Sequence, residues 1–517
     1  MSSKDSAKIK TGRVCLVGAG PGDPELLTIK GLQRIRDADV IVFDRLAGDR
    51  LFLEAKEGCE TIYVGKAASD HTMEQARINE LLYLHAKSGK NVVRLKGGDP
   101  YVFGRGGEEA EYLVKRGIEI EIVPGVTSAI AGPLFAGIPV THRGMASSFH
   151  VITGHRKNNE PDTTDYSTLA RLSGTLIFLM GLTNLESIQT GLLLNGMKED
   201  TPIAIISQAT TPKQVTIVST LKEIVQTINK HPIPSPALIV IGEVVNLREY
   251  LSFFETKPLF SKNIVVTRAK DKTNELSREL YEMGANVIAL PMIKIKKMID
   301  AERMKTVLAA FSHFDYVIFS SENGVRVFFE EMFSLSHDAR IFSGKRICAI
   351  GRKTKEALLR YGLCADIVPA RGTSEGLWEK LSGEIKSGNH ALLIQAKNGR
   401  RYLSEALAKS CSLTEIYPYE TIAEETEADG LRVLVNSRQI DAITFTSPST
   451  VTNLLSHVSA EELKANSVLL FSIGESTTKT IINAGLCVCA ESENADVRSL
   501  ALAVKHAFVK EMKGNDP

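Results

Sequence analysis

Short apolar runs recur from end to end of the chain, separated by segments long enough for an amphipathic helix. Val14-Cys15-Leu16-Val17, Val40-Ile41-Val42-Phe43 and Asn91-Val92-Val93-Arg94-Leu95 open the series. Strand-length runs alternating with helix-length segments predict an α/β architecture with largely parallel sheets. One seam interrupts the rhythm. Phe254-Glu255-Thr256-Lys257-Pro258-Leu259-Phe260-Ser261-Lys262 follows a strand and a short helix, and a new strand-like run, 263–267, comes after it. A proline in a charged, unpatterned stretch reads as an interdomain linker, which divides the chain into domains 12–255 and 262–512.

The carboxy-terminal half repeats itself. Asp315-Tyr316-Val317-Ile318-Phe319-Ser320-Ser321, with Val325 and Phe328-Phe329 beyond it, returns as Asp441-Ala442-Ile443-Thr444-Phe445-Thr446-Ser447, with Val451 and Leu454-Leu455. Ile350-Gly351, Thr354 and Gly362-Leu363-Cys364 return at nearly the same offset as Ile473-Gly474, Thr477 and Gly485-Leu486-Cys487. So long a period marks duplicated lobes, because short-repeat solenoids cycle every ~20–50 residues. Each block reads strand, hydroxyl-rich turn, helix.

Composition narrows the classes. At 517 residues the chain exceeds the roughly 100–200 of a single domain. Its 62 Lys+Arg against 61 Asp+Glu leave a net charge of +1, a balance that gives no support to a nucleic-acid-coating surface and leaves a local basic cleft open. A hydrophobic fraction of 43% with 24% charged residues is ordinary for a globular protein. The longest apolar segments, such as 237–241, fall far short of the ~20 residues that span a bilayer, and 1–10 is polar, without a signal-peptide stretch. Seven cysteines, at 15, 59, 348, 364, 411, 487 and 489, include no Cys-x-x-Cys, so neither a disulfide framework nor a zinc site is expected. Cys487 and Cys489 alternate along a strand-like run and are expected to be core thiols. The expectation is a soluble cytoplasmic protein with no metal, no membrane and no nucleic-acid partner.

The first half carries its chemistry in glycine clusters. Val17-Gly18-Ala19-Gly20-Pro21-Gly22-Asp23-Pro24 follows the first strand. A dinucleotide fingerprint needs Gly-x-Gly-x-x-Gly, and Asp23 breaks the spacing, which disfavours a nicotinamide or flavin site. The glycines still admit close backbone approach, to a ligand or to another segment. Leu95-Lys96-Gly97-Gly98-Asp99-Pro100 runs on into Val102-Phe103-Gly104-Arg105-Gly106-Gly107, at the strand end where α/β sheets hold ligands. Asp99 there can accept from ribose hydroxyls or an ammonium; a tight turn capped by Asp99 is the alternative. Pro124-Gly125-Val126-Thr127-Ser128-Ala129 reads as a helix start. Further on, His142 and Arg143 adjoin, and 175–181 is a buried strand ending in Met180 and Gly181. Met180 alone reads as core packing.

Together these segments resemble the tetrapyrrole methylases, and more narrowly uroporphyrinogen-III C-methyltransferase, over residues 12–250. The likeness rests on 17–28, Phe43-Asp44-Arg45-Leu46, Gly65-Lys66, 97–100, 124–129, Thr141-His142-Arg143 and Ser235-Pro236-Ala237. It implies a two-lobed α/β enzyme that binds S-adenosyl-L-methionine between its lobes and works as a homodimer. By resemblance Pro21, Gly97, Gly98, Asp99, Val102, Thr127, Ser128, Met180, Ala209 and Ala237 fall on cofactor-contacting positions, and Arg143 on the substrate side. Asp44 falls on the proton acceptor and Lys66 on the proton donor; a helix cap and a carboxylate clamp are their structural alternatives. The chain departs from the family where Ala209-Thr210 and Gln214-Val215 stand in place of Gly-Thr and Gln-Arg.

In the second half, Ser320-Ser321 and Thr446-Ser447 end their strands in hydroxyls before helix-like sequence. Hydroxyls and free backbone N–H groups at a helix start suit anions; plain caps are the alternative. Thr354 and Thr477 mark a second such turn in each lobe. Residues 262–510 resemble uroporphyrinogen-III synthase through Val266-Thr267-Arg268, 315–324, 349–351, 363–369, Tyr417-Pro418-Tyr419-Glu420-Thr421, Thr446-Ser447 and 473–478. That implies duplicated parallel α/β lobes, 262–290 with 421–510 and 297–414, joined near 290–296 and 415–421. The substrates implied are hydroxymethylbilane for this half and its product, uroporphyrinogen III, for the first. Tyr419 falls on a bridge tyrosine tied to activity; a structural tyrosine is the alternative.

Overall fold

The computed structural model describes residues 11–44, 51, 54–65, 74–154, 164–267, 273–290, 292–299, 301–423 and 428–514. The chain forms two compact units, Met1–Lys262 with Leu280–Asn286, and Asn263–Glu279 with Val287–Pro517.

The first unit holds two five-stranded sheets. Strands β1 (Arg13–Gly18), β2 (Val40–Phe43), β3 (Glu60–Tyr63), β4 (Val92–Lys96) and β5 (Glu119–Val123) lie in the order β3-β2-β4-β1-β5. Every pairing among them is parallel. Continuous apolar sequence in β1 is what a central strand covered on both faces requires. Val14 and Leu16 face one core with Leu82 and Leu113, while Cys15 and Val17 face another with Ile35. Three helices make those covers: α1 (Ile29–Asp37) on the second face, α2 (Gln75–Lys87) and α3 (Gly106–Val114) on the first.

The next sheet departs from the parallel expectation. Strands β6 (Phe149–Thr153), β7 (Thr175–Leu179), β8 (Pro202–Ser207), β9 (Val215–Thr220) and β10 (Ala237–Ile241) run in the order β6-β7-β10-β8-β9. Only β6 and β7 pair in parallel; β10 is antiparallel to both its neighbours, and β8 to β9. For β8 and β9 the cause is connection length. Residues 208–214 between β8 and β9 make a return loop too short for a crossover helix, so the strands fold back on each other. Helix α4 (Ser128–Phe135) packs against this sheet through Ala129, in the core formed with Ile177, Ile206 and Leu238.

In the second unit, β11 (Asn263–Val266), β12 (Asn286–Ala289), β19 (Ala442–Phe445), β20 (Leu469–Ser472) and β21 (Ala490–Glu491) form one sheet. Strands β14 (Tyr316–Phe319), β15 (Arg346–Ala349), β16 (His390–Ile394) and β17 (Ser412–Ile416) form another, wholly parallel. Between them in sequence, β13 (Ile293–Lys297) and β18 (Tyr419–Ala423) make an antiparallel two-stranded ladder. The sequence repeat is a structural one. Asp315 Oδ2 accepts from the backbone N–H that opens β16, His390, at 2.9 Å, and Asp441 Oδ2 does the same for β11 at Asn263, 2.7 Å.

Cys487 and Cys489 are corrected here: both are exposed and precede β21. Their apolar neighbours Leu486 and Val488 take the inward positions against the core, which turns the thiols outward.

Candidate active site

Strands β1, β2, β4 and β5 bring their carboxyl ends to one edge, and the turns beyond them wall a cavity of about 370 Å³. That lies within the roughly 300–1,000 Å³ of small-molecule sites. Three glycine loops cross there in contact. Gly98, at φ +66°, donates to the Gly20 carbonyl at 2.7 Å, and a Cβ at Gly125 would lie 2.3 Å from the Gly98 oxygen and 2.7 Å from Gly18 Cα. Asp99 ties two of these loops, accepting from Tyr101 N at 2.8 Å and Gly125 N at 3.1 Å, and it also lines the cavity. The capping role and the lining position coexist. Thr127 caps α4 by accepting from Ala129 N.

The other sheet supplies an apolar wall of Leu179, Met180, Ile206, Ala209 and Leu238. Met180 is not core: it is 48% exposed at φ +56°, because β7 ends one residue earlier and a left-handed turn swings the side chain outward. Ala209 sits between Gln208 at φ +46° and Thr210 at φ +67°, a backbone conformation that other contacts must hold. Gln214 provides one, accepting from Thr210 N at 2.8 Å and donating to Glu255 at 2.7 Å. Thr210 in turn accepts from Asp23 N at 3.1 Å.

The cavity thus gathers Pro21, Gly97, Gly98, Asp99, Val102, Thr127, Ser128, Met180, Ala209, Ala237 and Asp44. Lys66 lies outside the described residues. Arg143 stands on an exposed turn closed by the His142–Ala146 bridge and is not among the lining residues.

Sequence reasoning passed over the charged floor. Arg94 Nη2 donates to Asp44 Oδ2 at 3.1 Å, and its Nε reaches Glu109 Oε1 at 3.3 Å, which also accepts from Lys96 Nζ at 3.0 Å. Burial, then the neighbouring Arg94 charge, hold the Lys96 ammonium below its ordinary value against the opposing pull of Glu109. The available signal was two cations at alternate positions of an otherwise apolar strand, on one face. Among the described residues no group of three or more His, Cys, Asp or Glu is placed to hold a metal.

In the second unit, Ser321 caps the helix Glu322–Ser334 by accepting from Gly324 N at 3.0 Å, and Ser447 caps Pro448–Leu455 by accepting from Thr450 N. Ser320 donates to the Ile394 carbonyl at 3.1 Å, and Thr446 is half-buried. Thr354 and Thr477 are each the third residue of a helix and are buried. Tyr419 is buried, with its hydroxyl 2.8 Å from Ser321 Oγ. Burial pushes the phenol up, opposed by that hydrogen bond.

Two α/β units, one with a glycine-lined cavity over a floor of acidic and basic side chains, define an α/β enzyme class that acts on small molecules. The tetrapyrrole (corrin/porphyrin) methylase model matches residues 13–225, and the uroporphyrinogen-III synthase HemD model matches 274–501. A porphyrin biosynthesis protein HemD of Ruminiclostridium josui is 34% identical over 90% of this chain and 93% of its own. An S-adenosyl-L-methionine-dependent uroporphyrinogen III methyltransferase of Methanosarcina barkeri is 50% identical over 46% of this chain and 94% of its own. A solved uroporphyrin-III C-methyl transferase of Thermus thermophilus, complexed with S-adenyl homocysteine, covers 46% of this chain and 100% of its own, at 42% identity and a TM-score of 0.40. The chain belongs to the family in which a tetrapyrrole methylase domain is fused to a uroporphyrinogen-III synthase domain.

Proposed function

We propose that the second half closes hydroxymethylbilane to uroporphyrinogen III with inversion of ring D, and that the first half methylates this product twice, giving precorrin-2 for sirohaem and cobalamin synthesis. The observation that carries the reading is the cavity itself, which puts a carboxylate, Asp44, beside the glycine loops and the apolar wall. Its mixture of small backbone, hydroxyl and apolar groups fits S-adenosyl-L-methionine, and the Methanosarcina barkeri relative is named for dependence on it.

The cofactor supplies a methyl group on a sulfonium. The pyrrole carbon that receives it is an enamine-like nucleophile already bearing a side chain, so the protein aligns that carbon with the methyl group and takes up the proton that the methylated macrocycle loses elsewhere. Asp44, held by Arg94 at the end of β2, accepts the proton. Lys66 is the proposed proton donor and Arg143 a proposed substrate contact. In the second half, Tyr419 assists departure of the hydroxyl from hydroxymethylbilane, and Ser320, Ser321, Thr446 and Ser447 contact substrate carboxylates. Thr354 and Thr477, in the second such turn of each lobe, are further proposed substrate contacts. The protein works in the cytoplasm as a homodimer formed through its methyltransferase half.

Purified protein given hydroxymethylbilane and S-adenosyl-L-methionine should yield the dimethylated product with no added synthase. Accumulation of uroporphyrinogen I instead would sink the assignment of the second half.

A further inference from the structure

Glu109 is wholly buried on α3, lines no part of the cavity, and has no role in the chemistry above. One of its oxygens nevertheless serves three donors that do line the cavity: Gln75 Nε2 at 3.1 Å, Arg94 Nε at 3.3 Å and Lys96 Nζ at 3.0 Å. Its other oxygen has no hydrogen-bond partner among the described residues. A buried ion cluster with an orphaned oxygen is a poor stabilising device, since apolar side chains of similar volume would serve as well. The geometry suggests another use. Arg94 is a rigid planar fork, fixed at Nη1 by the Leu95 carbonyl at 3.0 Å and at Nη2 by Asp44 at 3.1 Å. An acceptor on its Nε edge therefore sets the direction in which Nη2 points.

We propose that Glu109 is a positioning residue for methyl transfer: it clamps Arg94 at Nε so that the far edge of the guanidinium holds the Asp44 carboxylate where the substrate proton leaves. This rests on the reading of Asp44 as proton acceptor. The clamp is indirect, through Arg94, and Lys96 and Gln75 donate to the same Glu109 oxygen.

The test is Glu109→Gln in the full chain. The kcat for methyl transfer to uroporphyrinogen III should fall at least tenfold. The KM for S-adenosyl-L-methionine, the calorimetric affinity for S-adenosylhomocysteine and the rate of hydroxymethylbilane cyclisation should stay within twofold. Combined with Asp44→Asn, the loss should be no greater than that of Asp44→Asn alone, because both act on one group. A kcat within twofold of the unsubstituted protein, or a double loss equal to the product of the single ones, overturns the proposal. Where Glu109→Gln does not fold, Gln75→Leu decides: this half-buried residue loses one donor of the clamp, and an unchanged kcat counts against it. If the unsubstituted protein transfers no methyl to uroporphyrinogen III, the Asp44 reading falls as well, which separates the two failures.

Discussion

The hydroxyl of Tyr419 lies 2.8 Å from the Oγ of Ser321, a residue 98 positions earlier that caps the helix following β14. The two-stranded ladder is thereby tied to the hydroxyl turn of one duplicated lobe. Because burial raises the phenol above its ordinary value, Tyr419 stays protonated at neutral pH and can donate. Tyr419→Phe should lower the cyclisation rate by on the order of 100-fold while methyl transfer from supplied uroporphyrinogen III is retained. Separate assays of the two half-reactions check this, and equal loss in both would indicate unfolding.

Asp44→Asn tests the first half. It keeps the shape of the side chain and an acceptor for Arg94 but removes the base. Methyl transfer should fall by at least ~100-fold, with ring closure unaffected. Stopped-time assays with mass detection of mono- and dimethylated products would record it, and wild-type rates would remove Asp44 from the mechanism.

Gly125→Ala tests the crossing of the glycine loops. The added methyl would meet the Gly98 carbonyl at 2.3 Å, with backbone on every side. A loss of about 1–3 kcal/mol of stability is expected from overpacking, together with weakened binding of S-adenosylhomocysteine. Calorimetric titration and urea unfolding measure the two effects.

Acid stability should depend on Glu121 in β5. Hydrogen bonds from Arg34, at 2.7 Å, and from Lys30 pull its carboxyl from 4.5 down to about 2. Its folded value lies below the unfolded one, so the ion pair stabilises fully above about 4.5 and the contribution disappears as pH falls through about 2. Glu121→Gln should cost about 1 kcal/mol at pH 7, and the difference between the urea midpoints should close as pH drops from 4.5 toward 2. A constant difference across that range would refute the pairing.

Much of the site was legible because its residue types are forced by local geometry. Gly98 sits at positive φ and Gly125 has no room for a Cβ, and such needs surface as glycine clusters. Arg94, Lys96 and Glu109 were not legible in the same way. Their meaning comes from a meeting of β4 with α3 across the sheet face, and nothing in the spacing of 94, 96 and 109 specifies that a carboxylate will receive both cations.

What the sequence determined by itself was the alternating α/β rhythm, the duplication of the second half and the glycine loops, each a local or repeated signal. Tertiary structure alone decided the direction of the strands between β7 and β10, the outward turn of Met180, Cys487 and Cys489, and the partners of Asp44 and Tyr419. Those depend on which of several apolar neighbours wins the inward position and on which distant strand lies alongside, and both are settled only when the whole core packs.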